Sequence, residues 1–342
     1  MIKVMGKKTI TIILIGAMIF SIIGCHTQDD MPQPPGKGNT ADKKGRGGQL
    51  GFKDSDVEGV KVSSRGDIYS LSEGSLYVME ERNWKRIDFD RTITAYYLLE
   101  GTEGVTVVAG TDKGSVHILP DGSDRWIEGS AKTLEDAIDF ITGSTDKSEL
   151  WMGQSAKEGG GLWKSSDGGI TWDKMTDITV RGIAVHPEQR EVIYIVDKLT
   201  YMSRDGGVNW TKLDTGANYG VLIHPLRPEI AYLAYARGVV PADHQGRIGP
   251  KQEFRLPGGI TRLEFNPSNP DEWALGMWDY PSGTGGLYYT FDGGKKWIEV
   301  EQMADARIID LNYSSDGKKL YVAASGKGLW MVDVETLVPP ER

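Results

Sequence analysis

Short apolar runs alternate with turn residues from about Leu50 onward, and no stretch there keeps the 3.6-residue spacing of a long helix. The runs are rich in Val, Ile, Tyr and Trp, and glycine, asparagine, aspartate and proline separate them. β-branched and aromatic residues favour strands, whereas these small or polar residues favour turns. The pattern therefore predicts an all-β domain built from many short strands.

One hairpin pattern occurs three times, with Ser or Thr, Asp, Gly and Trp at the same offsets. The copies are Ser165, Asp167, Gly169 and Trp172; Ser203, Asp205, Gly207 and Trp210; and Thr290, Asp292, Gly294 and Trp297. The Asp can accept hydrogen bonds from its own turn, the Gly permits a left-handed backbone, and the Trp offers apolar surface to a neighbouring layer. Three such copies indicate a repeat protein in which these turns are structural.

The strand that precedes each turn gives the number of repeats. Seven such strands align, and their central residues are Leu76, Val116, Leu162, Thr200, Val239, Leu287 and Leu329, which are 38 to 48 positions apart. Four strands fit in a unit of about 40 residues. We therefore predict seven four-stranded antiparallel blades. The outer strand of the last blade could come from residues 335–338 or from residues 50–53, and we favour residues 50–53 because that pairing would lock the ring.

The repeated turn resembles the Asp-box of the BNR-repeat families, which include sialidases, sortilin-type receptors, xyloglucanase-type glycosidases and photosystem II assembly factors. Over about residues 50–335, the resemblance implies a β-propeller, which the repeat count makes seven-bladed. It also implies that the Asp-boxes lie at the blade periphery, away from a ligand site. A shared fold does not by itself imply a shared function.

The N-terminus has the pattern of a bacterial lipoprotein. A basic segment precedes an apolar run at residues 9–23, which is too short to be interpreted first as a membrane span. The run ends in Ile22-Ile23-Gly24-Cys25, which resembles a lipobox and implies cleavage before Cys25 and lipid attachment to its sulfur. We expect a signal peptide at 1–24, a polar tether at 25–49 and the propeller at 50–342, anchored on the extracytoplasmic face of the cell membrane.

Composition and charge exclude several classes of function. The 342-residue chain has a net charge of -9, and its first 24 residues contain three lysines and no acid, so the mature net charge is about -12. Such a charge disfavours nucleic-acid binding. Cys25 is the only cysteine, and none of the five histidines has metal-ligand spacing. His186 and His224 each precede a proline and are interpreted as turn residues. We expect a monomer with no metal and no cofactor.

Candidate ligand-binding residues lie where ligands usually bind a propeller, at the loops that lead into the innermost strands and around the central channel. They are Arg181, Tyr219, Arg262, Arg307, Asp310, Trp278 and Tyr280. Guanidinium groups beside aromatic rings can hold an anionic or glycan ligand. The alternative interpretation is a channel lined by polar side chains with water between them.

These features favour a non-catalytic module that binds a protein or glycan partner, or assists assembly, at the cell envelope. The alternative is a glycoside hydrolase acting on surface polysaccharide, because Phe254-Arg255-Leu256-Pro257 resembles a sialidase motif. In sialidases, however, that motif precedes the Asp-boxes and the propeller has six blades. A glycosidase needs two carboxylates in one pocket, about 5 Å apart for retention or about 6.5–9.5 Å apart for inversion. A rigid spacer, the third possibility, predicts no charged or aromatic cluster at the channel.

Overall fold

The computed structural model describes residues 47–101, 104–131, 136–144, 148–155, 160–216 and 219–337. The predicted signal peptide, Cys25 and most of the predicted tether lie outside these residues. The described part of the chain folds into seven β-sheets of the predicted seven-bladed propeller. None of the helices among these residues is long and apolar enough to cross a bilayer.

The first strand is separated from the blade that it completes by almost the whole propeller sequence. This strand, β1, spans Gly47–Gly51 and includes the last three residues of the segment assigned to the tether. Blade one follows with β2 (Val57–Val62), β3 (Ile68–Ser72), β4 (Ser75–Glu80) and β5 (Asn83–Arg86). Blade two contains β6 (Ile93–Glu100), β7 (Val105–Thr111), β8 (Val116–Leu119) and β9 (Ile127–Glu128).

Blade three has one strand more than the predicted four. The additional strand β10 (Ser130–Ala131) comes from the connection after blade two and pairs in parallel with the outer strand. The other strands are β11 (Phe140–Gly143), β12 (Leu150–Gln154), β13 (Gly161–Ser165) and β14 (Thr171–Thr176). Blade four contains β15 (Gly182–Val185), β16 (Ile193–Val196), β17 (Thr200–Ser203) and β18 (Thr211–Leu213).

The last three blades complete the ring. Blade five contains β19 (Gly220–His224), β20 (Arg227–Tyr235), β21 (Gly238–Asp243) and β22 (Gln252–Glu253). Blade six contains β23 (Gly259–Phe265), β24 (Trp273–Trp278), β25 (Gly285–Thr290) and β26 (Ile298–Glu299). Blade seven contains β27 (Ile308–Tyr313), β28 (Lys319–Ala324) and β29 (Gly328–Asp333), and short 3-10 helices span Glu301–Met303 and Val334–Thr336.

The prediction that an N-terminal strand closes the ring is confirmed, but the outer strand of blade seven is β1 at Gly47–Gly51 and not residues 50–53. This strand pairs antiparallel with β29, from Gly47 opposite Val332 to Gly51 opposite Leu329. The described part of the alternative donor, residues 335–337, does not take that place, since Val334–Thr336 forms a 3-10 turn. The N-terminal strand thus hydrogen bonds to an edge that the C-terminal strands would otherwise leave open.

Seven apolar clusters hold the propeller together, one at each junction between neighbouring blades. Trp172 is buried in the cluster between blades two and three, and Trp210 and Trp297 pack against those between blades three and four and between blades five and six. Each repeated Trp therefore contacts the junction with the preceding blade. At the junction of blades seven and one, Phe52 lies 5.0 Å from Trp84 between ring centroids.

The closure explains a requirement for glycine at position 328. Gly328 begins β29 with φ +76°, and a Cβ atom there would lie 2.2 Å from the Phe52 carbonyl oxygen and 2.5 Å from that of Gly51. Nearby Gly326 has a similar φ of +66°, but a Cβ there would meet nothing within 4 Å. The two positions separate the cost of a left-handed backbone from the cost of displacing the closing strand.

We expect Gly328→Ala to lower the free energy of unfolding by about 3 kcal/mol and Gly326→Ala by about 1 kcal/mol. Both variants force alanine into a left-handed conformation, but only Gly328→Ala also pushes against backbone atoms of the closing segment. Urea unfolding of the two variants and the wild-type protein measures the difference. Equal losses would show that the contact with residues 51 and 52 does not govern closure.

Candidate functional site

The antiparallel order of the strands gives the propeller two faces with different loops. The upper face contains the segments that lead into the inner strands and the turns that join second to third strands. The lower face contains the turns that join first to second strands and the turns that join third to outer strands. The repeated Asp-Gly-Gly turns, at 167–169, 205–207 and 292–294, all lie on the lower face.

The Asp-Gly-Gly turns share one hydrogen-bond pattern. In blade three, Ser165 Oγ donates to Asp167 Oδ1 at 2.9 Å and accepts from the Gly169 N–H at 2.9 Å. Asp167 also accepts from the Thr171 N–H at 2.9 Å, and Trp172 Nε1 donates to the Gly169 carbonyl oxygen. These bonds are internal to the turn, which fits a structural role.

In the corresponding turn of blade four, the same kind of hydrogen bonding lowers the pKa of the aspartate. The backbone and side-chain N–H groups of Asn209, together with the Ser203 hydroxyl, hold the pKa of Asp205 at about 2. The Asn209 N–H lies 2.8 Å from Asp205 Oδ1. Asp205 therefore acts as a permanently ionised acceptor within its own turn.

The two histidines before proline also close turns on the lower face. His186 Nδ1 accepts from the N–H groups of Glu188 and Gln189, and His224 Nδ1 accepts from that of Leu226. Both rings are almost completely buried, and burial lowers the pKa of each. Their contacts agree with the interpretation of both residues as turn residues.

A cluster of charged side chains lies where the inner strands of blades one, six and seven meet at the channel. Asp310 on β27 accepts hydrogen bonds at Oδ2 from the Val60 N–H at 3.1 Å and from Lys61 Nζ at 2.9 Å. Its Oδ1 lies 3.6 Å from Arg262 Nε on β23. Burial acts to raise the pKa of Asp310, but Lys61 and Arg262 outweigh it and hold that pKa below its usual value.

Glu264 belongs to the same cluster, but its pKa is shifted in the opposite direction. It lies two residues after Arg262 on β23, so the two side chains project from the same side of the strand. Burial raises the pKa of Glu264 to about 7; Lys61 and Arg262 lower it, and Asp310 raises it further. The channel thus contains one carboxylate held ionised and one carboxyl group that titrates near neutrality.

The remaining candidates lie on the upper face, on blades four to seven. Arg181 pairs with Asp197 at 2.8 Å, and Asp197 also accepts from the Thr179 hydroxyl. Tyr219 is 54% exposed and Tyr280 is 87% exposed. Arg307 is exposed before β27, and within the described part of the chain it forms no ion pair. Trp278 ends β24 and is half-buried.

The structure brings Arg262 and Asp310 into contact, whereas Arg181, Tyr219, Arg307 and Tyr280 remain spread around the upper face. Lys61 and Glu264 were not predicted. Lys61 lies in a strand with no distinguishing motif, and only its contact with Asp310, 249 positions away, reveals its place. Glu264 could have been suspected from its spacing to Arg262, since residues two apart on a strand share a side.

Metal binding has no obvious location in the described ranges. No group of three or more His, Cys, Asp or Glu side chains there is arranged to hold an ion. The described residues instead place basic and aromatic side chains on the upper face. Below them lies the channel, whose charged groups pair with one another.

Compared by sequence, the chain matches no protein-family model and no curated protein. Compared by structure, it is similar to two GH74 enzymes. The GH74 xyloglucanase from Xanthomonas campestris aligns with a TM-score of 0.67 at 15% identity, covering 84% of this chain and 53% of that one. The GH74 enzyme from Niastella koreensis aligns with a TM-score of 0.66 at 15% identity, covering 90% and 55%. This chain therefore spans about half the length of each.

A third similar structure is described as YCF48 bound to D1 peptide. It aligns with a TM-score of 0.62 at 13% identity, covering 83% of this chain and 94% of that one. At such low identities the likeness shows the fold alone. The propeller fold is therefore shared with glycoside hydrolases and with a protein whose structure contains a bound peptide, and the side chains of this chain have to distinguish the two.

The raised pKa of Glu264 predicts that the effect of replacing this residue on stability depends on pH. Because this pKa is higher in the folded chain than in the unfolded chain, the stability contributed by protonated Glu264 is fully present below about pH 4.5 and is lost as the pH rises through about 7. Glutamine cannot ionise. We therefore expect the melting temperature of Glu264→Gln, relative to wild type, to be higher at pH 8 than at pH 4.5.

Differential scanning calorimetry of wild type and variant at both pH values measures this change. Glu299→Gln, at an exposed position on the outer strand of the same blade, is the matched control. A Glu264→Gln difference that is the same at pH 4.5 and pH 8 would contradict the proposed environment of Glu264.

Proposed function

We propose that the protein is a lipid-anchored, extracytoplasmic β-propeller that binds a protein or glycan partner on its upper face. In this proposal, Cys25 is the lipidated residue, the Asp-Gly-Gly turns are Asp-boxes with a structural role, and the chain acts as a binding or assembly module. The observation that carries the proposal is that basic and aromatic side chains from blades four to seven are exposed on the upper face.

The charges of these residues favour recognition over catalysis. The carboxylates beside the candidate arginines are already paired, Asp197 with Arg181 and Asp310 with Lys61 and Arg262. A carboxylate whose oxygens already accept from cationic groups is a weak general base. Arg307, Tyr219 and Tyr280 are instead exposed to solvent, and Arg and Tyr are residue types that are common at binding hot spots.

The fold comparison is compatible with this proposal. YCF48 bound to D1 peptide is an example of a propeller of similar fold that holds a peptide. An anionic or hydroxyl-rich ligand would suit the upper face of this chain, because guanidinium groups form charge-assisted bonds and tyrosine rings stack on apolar or sugar surfaces.

A second candidate function, glycoside hydrolysis, is favoured by one observation. Glu264 and Asp310 lie in one cluster, and their environments move their pKa values in opposite directions. Such a divergence is typical of an acid and a charged partner in glycosidases. The two GH74 enzymes support only the fold, because each is about twice as long as the aligned region.

The binding proposal is tested with a glycan array and with photo-cross-linking on intact cells, using the full-length protein. We expect the double variant Arg307→Ala/Tyr280→Ala to bind at least about tenfold more weakly than wild type, because each residue contributes on the order of 1 kcal/mol at a recognition surface. Lys296→Ala, at an exposed position on the lower face, is the control and should bind like wild type. Equal binding by both variants would exclude the upper face.

The enzyme alternative is decided by release of reducing sugar from polysaccharides applied to the same preparations. Turnover that is lost in Glu264→Gln and retained in Glu299→Gln would establish hydrolysis and replace the binding proposal. Binding without turnover would support the module.

A further inference from the structure

We propose that the lower face of blades three to five lies against the lipid surface to which the protein is anchored. This inference rests on lipid attachment at Cys25, which is part of the function proposed above. It assigns an orientation: the lower face contacts lipid and the upper face points away from the membrane toward the partner.

The direction of β1 determines the face at which the chain joins the propeller. Strand β29 runs from the upper face, where Ser325–Lys327 form its preceding turn, to the lower face at Asp333. Because β1 is antiparallel to β29 with Gly47 opposite Val332, its first residue lies at the lower face. Cys25 precedes Gly47 by 22 positions, so the chain between them reaches at most roughly 75 Å.

Four of the large apolar side chains that the described structure exposes are on that same face. They belong to three consecutive blades, three to five, and lie in the connections at that face. They are Ile170 at 53% exposure, Val208 at 69%, Leu226 at 62% and Ile248 at 40%. The third Asp-Gly-Gly turn, in blade six, has Lys295 at the position that Ile170 and Val208 occupy in their turns.

The backbone N–H groups of these turns are satisfied within the turns, and exposed charged side chains such as Asp205 and Arg247 lie beside the apolar ones. Asp205 accepts from the Val208 N–H at 3.1 Å, and Asp243 accepts from the Arg247 N–H at 2.9 Å. A backbone whose donors are satisfied within the turn can approach lipid at low cost, whereas an unsatisfied donor would be penalised.

The contact would be apolar rather than electrostatic. Acidic Glu188 and Glu229 and basic Arg204 and Arg247 are all exposed on this face, so its charge does not by itself attract anionic headgroups. Four partly exposed side chains give only weak affinity on their own. The anchor keeps the lipid surface at a high local concentration near this face. A weak contact therefore suffices to orient the propeller.

The experiment uses the full-length, lipidated protein in phosphatidylcholine vesicles. Because the proposed lipid attachment occupies the sulfur of Cys25, the only cysteine, a single introduced cysteine is the only free thiol and can carry the fluorophore NBD. Val208→Cys reports on the lower face of blade four, Tyr280→Cys on the upper face, and Lys296→Cys on the lower face of blade six. All three positions are exposed, so the substitutions leave the core intact.

We expect NBD at position 208 to shift its emission to shorter wavelength and to be quenched by spin-labelled lipid at least about twofold more than NBD at 280, with 296 in between. Adding Ile170→Ser and Leu226→Ser should abolish the shift at 208, whereas 0.5 M salt should not. Equal quenching at 208 and 280, or a shift that survives both serine substitutions, would overturn the inference.

Co-sedimentation with the vesicles separates this inference from the proposed anchor. If wild type sediments with vesicles and Cys25→Ser does not, the anchor is present and the fluorescence decides the orientation. If wild type fails to sediment, lipid attachment itself is wrong, and the orientation inference falls with it.

Discussion

The junction between blades seven and one is the contact on which the propeller depends, because a ring of sheets is closed only where its ends meet. Two layers of contacts close it. At the periphery, β1 pairs with β29, and Trp84 Nε1 donates to the Leu50 carbonyl oxygen. At the channel, Asp310 and Asn312 accept hydrogen bonds from the Val60 and Val62 N–H groups, which no strand pairs on that side. An open junction would expose both strand edges.

This closure also organises the channel. Asp310 neutralises Lys61 while it accepts from the β2 backbone, and Arg262 from blade six reaches the same carboxylate. The charge cluster is therefore part of the architecture, and its groups are largely occupied by one another. The upper face differs, because Tyr219, Tyr280 and Arg307 are exposed in loops outside this charge cluster. This division supports recognition on the upper face and structure in the channel.

Most of the fold could be predicted from the sequence because a propeller repeats itself. Seven aligned strands gave the number of blades, and the need to protect an edge favoured the N-terminal strand as the closing one. The pairing of Asp310 with Lys61 could not be predicted, since 249 positions separate them and neither lies in a motif. Likewise, the proton affinity of Glu264 depends on burial between blades, which no local pattern encodes. Strand β10 was missed because two residues carry no periodicity.

The most direct test of the double closure is amide hydrogen exchange of the native protein, measured at Val60 and Val62. Both amides face the channel on the open side of β2, where, among the described residues, the Asp310 and Asn312 side chains accept their hydrogen bonds. The closure predicts that they exchange as slowly as paired amides of β2 and β3, and that Asp310→Asn weakens protection at Val60 more than at Val62. Rapid exchange of both amides in the wild-type protein would contradict it.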